Sequence, residues 1–172
     1  QADSLMSARN EIVGDVLVSF GDIMFDELVL KQLLQFDGEL ILATDQEWEE
    51  SYQIRTENSA KFSDFVAIKN NQIIKFFKNS EEFLGKCDIV EFIGLMKLSE
   101  IGSRKIIQKY ENLEKTHKGK FHYASSFEKA KIIDVLEELR LNDMEIKTQN
   151  VNGCWCEIDT KQDLEIAKKI FK

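Results

Sequence analysis

Two aspartates stand where an α/β protein can use a carboxylate: Asp22 directly follows the apolar run VLVSFG, and Asp159 closes WCEID. In an open α/β sheet, ligands bind beyond the carboxyl ends of the parallel strands. Acidic side chains at that rim can clamp Mg2+, which takes oxygen ligands at about 2.1 Å and is completed by phosphate oxygens and water. Glu157 lies two residues before Asp159, on the face of the same strand that also carries Trp155, while Cys154, Cys156 and Ile158 point the other way. A second carboxylate at that spacing raises repulsion and gains nothing from the helix dipole, whereas a cation between the two would relieve it. Each residue also has a plainer reading. Gly21-Asp22 is a turn sequence, although Gly21 would also let the backbone approach a ligand. Asp159 before Thr160 complements a helix N-terminus, worth ~0.5 kcal/mol. Glu91, embedded in the apolar CDIVEFIGLMKLS, fits the polar face of a sheet.

The elements that would position these groups follow from the apolar periodicity. Asp3–Ile12 reads as a helix end, VLVSF as a strand buried on both faces, Asp26–Phe36 as a helix and ELILATD as a second buried strand. This alternation marks an α/β domain with parallel strands. SYQIRTE, DFVAIKN and QIIKFFKN read as an antiparallel insert, with a turn at Asn70-Asn71. CDIVEFIGLMKLS is a long strand, and Ser99–Lys115 and Ser125–Leu141 are helices, the second capped by Ser125 or Ser126. MEIKTQNV and CWCEID are strands, and a last helix runs from Thr160 to Phe171 with Thr160 and Asp163 as a capping box.

The 172 residues are expected to form a single domain, 1–172. At 43% hydrophobic and 31% charged residues the chain has the balance of a globular protein rather than a disordered one. The net charge of -8, without a basic stripe, argues against nucleic acid or an anionic membrane as partner. Cys87, Cys154 and Cys156 have neither disulfide-framework nor CxxC spacing, so they are read as small buried hydrophobes. Reduced thiols fit a cytoplasmic protein, and no signal peptide or apolar run of spanning length is seen in the sequence. The sequence contains no proline.

Three segments carry a resemblance. VLVSFGDIMF, EFIGLMKLSEIGSRKI and GCWCEIDTKQDLEIA are similar, in order and spacing, to segments of the nucleoside-triphosphate transferases, which have a Rossmann-like, glycosyltransferase-A-type three-layer fold with a mixed sheet. Within that superfamily the chain most resembles cytidylyltransferases for phosphocholine and phosphonates, including the nucleotidyltransferase domain fused to phosphoenolpyruvate mutase. The run from Asp45 to Trp48, with Tyr52 and Arg55 after it, looks like the latter group. The resemblance implies that Asp22, Glu157 and Asp159 hold a catalytic Mg2+, with Asp22 and Asp159 as the catalytic pair. It implies transfer of a nucleoside monophosphate, with CTP as the expected donor, to a small phosphate or phosphonate acceptor with release of pyrophosphate. Glu91, Asp45 and Arg55 would face the acceptor, and Trp155 would either stack on a quaternary ammonium or pack. The family's opening glycine-rich loop is not in the sequence, which implies an N-terminally truncated domain that by itself lacks transfer activity. Such a chain is expected to pair through the exposed edge of VLVSF, as a homodimer or with its missing N-terminal part. The alternative is a non-catalytic remnant of the fold serving as a binding or partner-subunit module. A glycosyltransferase of similar fold would use an Asp-x-Asp pair, and Gly21-Asp22 supplies only one aspartate.

Overall fold

The computed structural model describes residues 1–57, 60, 63–78 and 85–171, and these fall into two units. The first comprises residues 1–16, 38–40 and 98–146; the second comprises 17–37, 41–97 and 147–172.

The first unit is helical. It holds α1 (Ala2–Ser7), α4 (Glu100–Thr116), a 3-10 turn at Phe127–Lys129 and α5 (Ile132–Leu141). Helix α4 begins where expected, because the Ser99 hydroxyl accepts from the Gly102 amide at 3.1 Å and supplies the orphan donor of the first turn with a partner. The expected helix over Ser125–Leu141 is instead broken. Ser126 opens only the 3-10 turn, Ala130 is extended (ψ 137°), and α5 restarts after Lys131, whose amide donates to Asp134 Oδ2 at 2.9 Å. Phe127, within that turn, packs in the aromatic core, 4.9 Å from Tyr110 and 5.1 Å from Phe121.

The second unit carries the sheet apart from the strand-end residues Val16, Leu40, Leu98 and Ile146. Its strands are β1 (Val16–Ser19), β3 (Leu40–Asp45), β4 (Phe65–Lys69), β5 (Gln72–Phe77), β6 (Asp88–Leu98) and β7 (Ile146–Asn150), in the order β5-β4-β6-β3-β7 with β1 also paired to β6. A separate ribbon joins β2 (Ile23–Phe25) to β8 (Trp155–Glu157), and the helices are α2 (Glu27–Leu34), α3 (Trp48–Gln53) and α6 (Lys161–Ile170). β4 is antiparallel to both β5 and β6, with the β4–β5 turn at Asn70 and Asn71, both at positive φ (53° and 59°) as a tight hairpin demands. β3 is buried along almost its whole length, as expected for a central strand. β1 is not buried on both faces as its apolar run suggested: half-buried Val16 and Val18 alternate with Leu17, 40% exposed, and Ser19, so one face only is covered. SYQIRTE is not a strand either. Trp48 and Tyr52, four residues apart, share one face of α3, and Trp48 packs edge-on against Phe65 at 4.7 Å. The last residue of QIIKFFKN, Asn79, lies outside the described residues.

Candidate active site

The β2–β8 ribbon builds the site. Its register sets Ile23 opposite Glu157 and Phe25 opposite Trp155, and the Ile158 amide donates to the Asp22 carbonyl at 2.8 Å. Asp22, immediately before β2, therefore lands beside the end of β8, although 137 residues separate it from Asp159 (159 minus 22). The ribbon is extended by Asp26, whose amide donates to the Cys154 carbonyl at 2.9 Å and whose Oδ2 accepts from the Cys154 amide at 2.9 Å. Gly21 has no steric part in this: a Cβ there would meet open space, so the ribbon and not a close backbone approach places Asp22.

One oxygen each from Asp22, Glu157 and Asp159 lie within 4.8 Å of one another, and among the described residues this is the one group of its kind. Mg2+ ligands on opposite sides of an ion are about 4.2 Å apart at a 2.1 Å bond length, so small side-chain rotations suffice to share one cation. The electrostatics point the same way. Burial first, and then the negative charges of Asp159 and Asp22, together push the Glu157 carboxyl up to about 7 against the opposing Arg55 guanidinium. Three hard oxygens with repelling charges fit a divalent cation of the Mg2+ type.

The other expected residues lie around this cluster but do not form a single wall. Glu91 is buried on β6 rather than on a polar face; its Oε1 accepts from the Tyr52 hydroxyl at 2.6 Å, and Tyr52 also meets Ser63 in a short hydrogen bond. Glu91 Oε2 has no hydrogen-bond partner among the described residues. Burial, helped by the charges of Glu157 and Asp45, outweighs the hydrogen bonds from Tyr52 and Ser63 and leaves this carboxyl raised to about 7. Asp45, at the end of β3, accepts from the Trp155 indole N–H at 2.9 Å and from the Glu47 amide at 2.7 Å. Trp155 is half-buried against the cluster of Val29, Leu33, Ile41 and Ala43, which is the packing role, and it also borders a cavity of about 480 Å3 with Asp45, Glu47, Glu50 and Ser51. Of the cysteines, only Cys156 is buried as expected; Cys87 is half-buried, and Cys154 is exposed at the end of the ribbon, where its amide and carbonyl bond Asp26.

Arg55 departs most from expectation. Its side chain is 4% exposed and is turned onto β8, with Nε 3.4 Å from Asp163 Oδ1 and Nη2 donating toward the Glu157 carbonyl at 3.5 Å and the Cys156 sulfur at 3.6 Å. Asp163, fully buried and read from the sequence only as a helix cap, is the carboxylate that faces Arg55.

Comparison with known proteins gives the fold. No family model matches the chain. The chain is 26% identical over 154 residues to CTP:phosphoglutamine cytidylyltransferase of Campylobacter jejuni, a match covering 88% of this chain and 58% of that protein. Its structure superimposes on the inositol-1-phosphate CTP transferase from T. maritima with a TM-score of 0.65 at 18% identity, covering 99% of this chain and 62% of the other. It also matches a protein described as a glucose-1-phosphate thymidylyltransferase from Bacillus anthracis, with a TM-score of 0.66 at 14% identity, covering 98% and 59%. The chain thus has the Rossmann-like mixed α/β fold of the nucleotidyltransferases and spans about three fifths of the length of the proteins it matches.

Proposed function

We propose that this chain is the metal-binding part of a nucleotidyltransferase that moves a nucleoside monophosphate, from CTP as the expected donor, onto a small phosphate or phosphonate acceptor. The convergence of Asp22, Glu157 and Asp159 carries the reading: residues from two distant segments meet within 4.8 Å, in a fold shared with cytidylyl- and thymidylyltransferases. Those three side chains would hold Mg2+, which when bound neutralises charge on the triphosphate and orients its α-phosphorus. The residues themselves position and stabilise; an acceptor phosphate oxygen is already a nucleophile and needs no proton removed by the protein. Asp45, Glu91 and Trp155 lie on the acceptor side in this reading. Asp45 orients the indole, and Glu91 keeps one buried oxygen for a hydrogen-bond donor on the acceptor. The Campylobacter jejuni relative is a phosphoglutamine cytidylyltransferase, and phosphocholine and aminoethylphosphonate are further small phosphorus-bearing acceptors. The thiols of Cys87, Cys154 and Cys156 suit a reducing compartment such as the cytoplasm.

The test is pyrophosphate release by the protein expressed from its complete reading frame, with Mg2+, CTP and a panel of phosphocholine, aminoethylphosphonate, phosphorylated amides and sugar phosphates. Release with one of these acceptors, abolished in Asp159→Asn with the fold intact, is the expected result. Cation binding without turnover on any acceptor would contradict it and identify a non-catalytic binding module.

A further inference from the structure

We infer that Arg55 is a positioning residue for the cation site: paired with Asp163, it holds the backbone that aims Glu157 and Asp159 toward Asp22. The inference rests on the cation-binding reading above and adds a buried support to it. Arg55 approaches the carbonyl of Glu157 and the sulfur of Cys156 from one side. Asp163 holds the other side of the same turn. Its Oδ2 accepts from the Asp159 amide at 3.3 Å, the Thr160 amide at 2.9 Å and the Thr160 hydroxyl at 2.8 Å, while its Oδ1 faces Arg55 Nε at 3.4 Å. The two side chains thus bracket Ile158 and pin the main chain of both carboxylates. Arg55 is itself held, because its guanidinium lies over the Tyr52 ring, 5.1 Å from the centroid, and the Tyr52 hydroxyl is fixed on Glu91.

A buried ion pair with side chains 4% and 0% exposed is a poor device for stability alone, since an apolar pair of similar volume does as well without desolvating two charges. What the pair supplies is geometry. The planar guanidinium reaches a carboxylate and a carbonyl at once, which an ammonium cannot do in one fixed pose. Outer partners of this kind orient the groups that touch a metal, and losing one typically weakens metal affinity 10- to 100-fold.

The experiment measures Mn2+ binding to the chain by electron paramagnetic resonance of the free ion, with no nucleotide or acceptor present. Asp159→Asn identifies which binding belongs to the site. In Arg55→Met the dissociation constant should rise about 10- to 100-fold at a temperature where circular dichroism shows the fold intact, and Arg55→Lys should recover part of the loss. If Arg55→Met fails to fold because Asp163 is left buried and unpaired, the double variant Arg55→Met/Asp163→Asn removes that charge. Its dissociation constant should likewise rise about 10- to 100-fold over wild type. Site binding that disappears in Asp159→Asn but stays within twofold of wild type in Arg55→Met and in the double variant overturns the positioning role and leaves the cation site standing. Mn2+ binding unaffected by Asp159→Asn overturns both.

Discussion

Asp22→Asn is expected to stabilise the metal-free protein and to destabilise it, relative to wild type, once Mg2+ is added. Without metal, at pH 8 where Glu157 is mostly ionised, Asp22 has an oxygen within 4.8 Å of oxygens on both Glu157 and Asp159. At that separation each pair of unit charges repels by about 0.9 kcal/mol at the dielectric of water and by about 3.5 kcal/mol at an effective value of 20. Asp22 and Asp159 are exposed, so the lower figure governs, and removing one charge relieves roughly 1–2 kcal/mol at low salt. For a chain of this length that raises the melting midpoint by about 2–8 °C in EDTA. With Mg2+ at a hundred times its dissociation constant, wild type gains about 2.7 kcal/mol by linkage, and the variant, lacking one of three ligands, gains much less. The two midpoints should therefore cross. Thermal melts by circular dichroism in EDTA and in Mg2+ report the crossing. Lower stability of Asp22→Asn in EDTA, or an equal Mg2+ shift in both proteins, would refute the reasoning.

Three further outcomes follow from separate parts of the molecule. Gly102→Ala places a Cβ 1.8 Å from the Glu39 carbonyl oxygen, a backbone atom that cannot swing away; overpacking and loss of the Ser99–Glu39 hydrogen bond outweigh the gain in helix propensity, and urea melts should show a net loss of about 2 kcal/mol. Glu91 binds its proton more tightly in the folded state, near 7 against an ordinary 4.5, so its contribution is fully present below 4.5 and is lost as pH rises through 7. Glu91→Gln should accordingly match wild type in urea melts at pH 5 and exceed it at pH 8, by up to about 3 kcal/mol. Asp26 has the opposite sign: its hydrogen bonds from the Cys154 and Val29 amides hold its carboxyl below the usual range. Asp26→Ala should cost about 1–2 kcal/mol near neutrality, and the deficit should shrink as pH falls through the folded-state value, read by urea melts at pH 6 and pH 3.

Much of the site was legible in local sequence because local rules govern it. The acidic ends of VLVSFGD and WCEID, the Thr160–Asp163 capping box and the Asn70-Asn71 turn all depend on neighbours within a few residues. What the sequence did not show depends on contacts far along the chain. Nothing within SYQIRTE signals that Trp48 and Tyr52 will face Phe65 and Glu91, and that face decides helix over strand. Resemblance set Arg55 toward the acceptor, while the fold turns it onto Asp163, 108 positions away (163 minus 55), a pairing with no local signature. The strand VLVSF reads as fully buried from its composition, and its exposed Leu17 reflects what the fold packs over each face rather than its own residues.

The cation is the centre of the account, and its binding can be measured directly. Isothermal titration of Mg2+ or Mn2+ into the wild-type chain should show one saturable site, absent in a folded Asp22→Asn/Asp159→Asn double variant. Identical titration curves for the two proteins would mean that these carboxylates meet for some reason other than a shared metal.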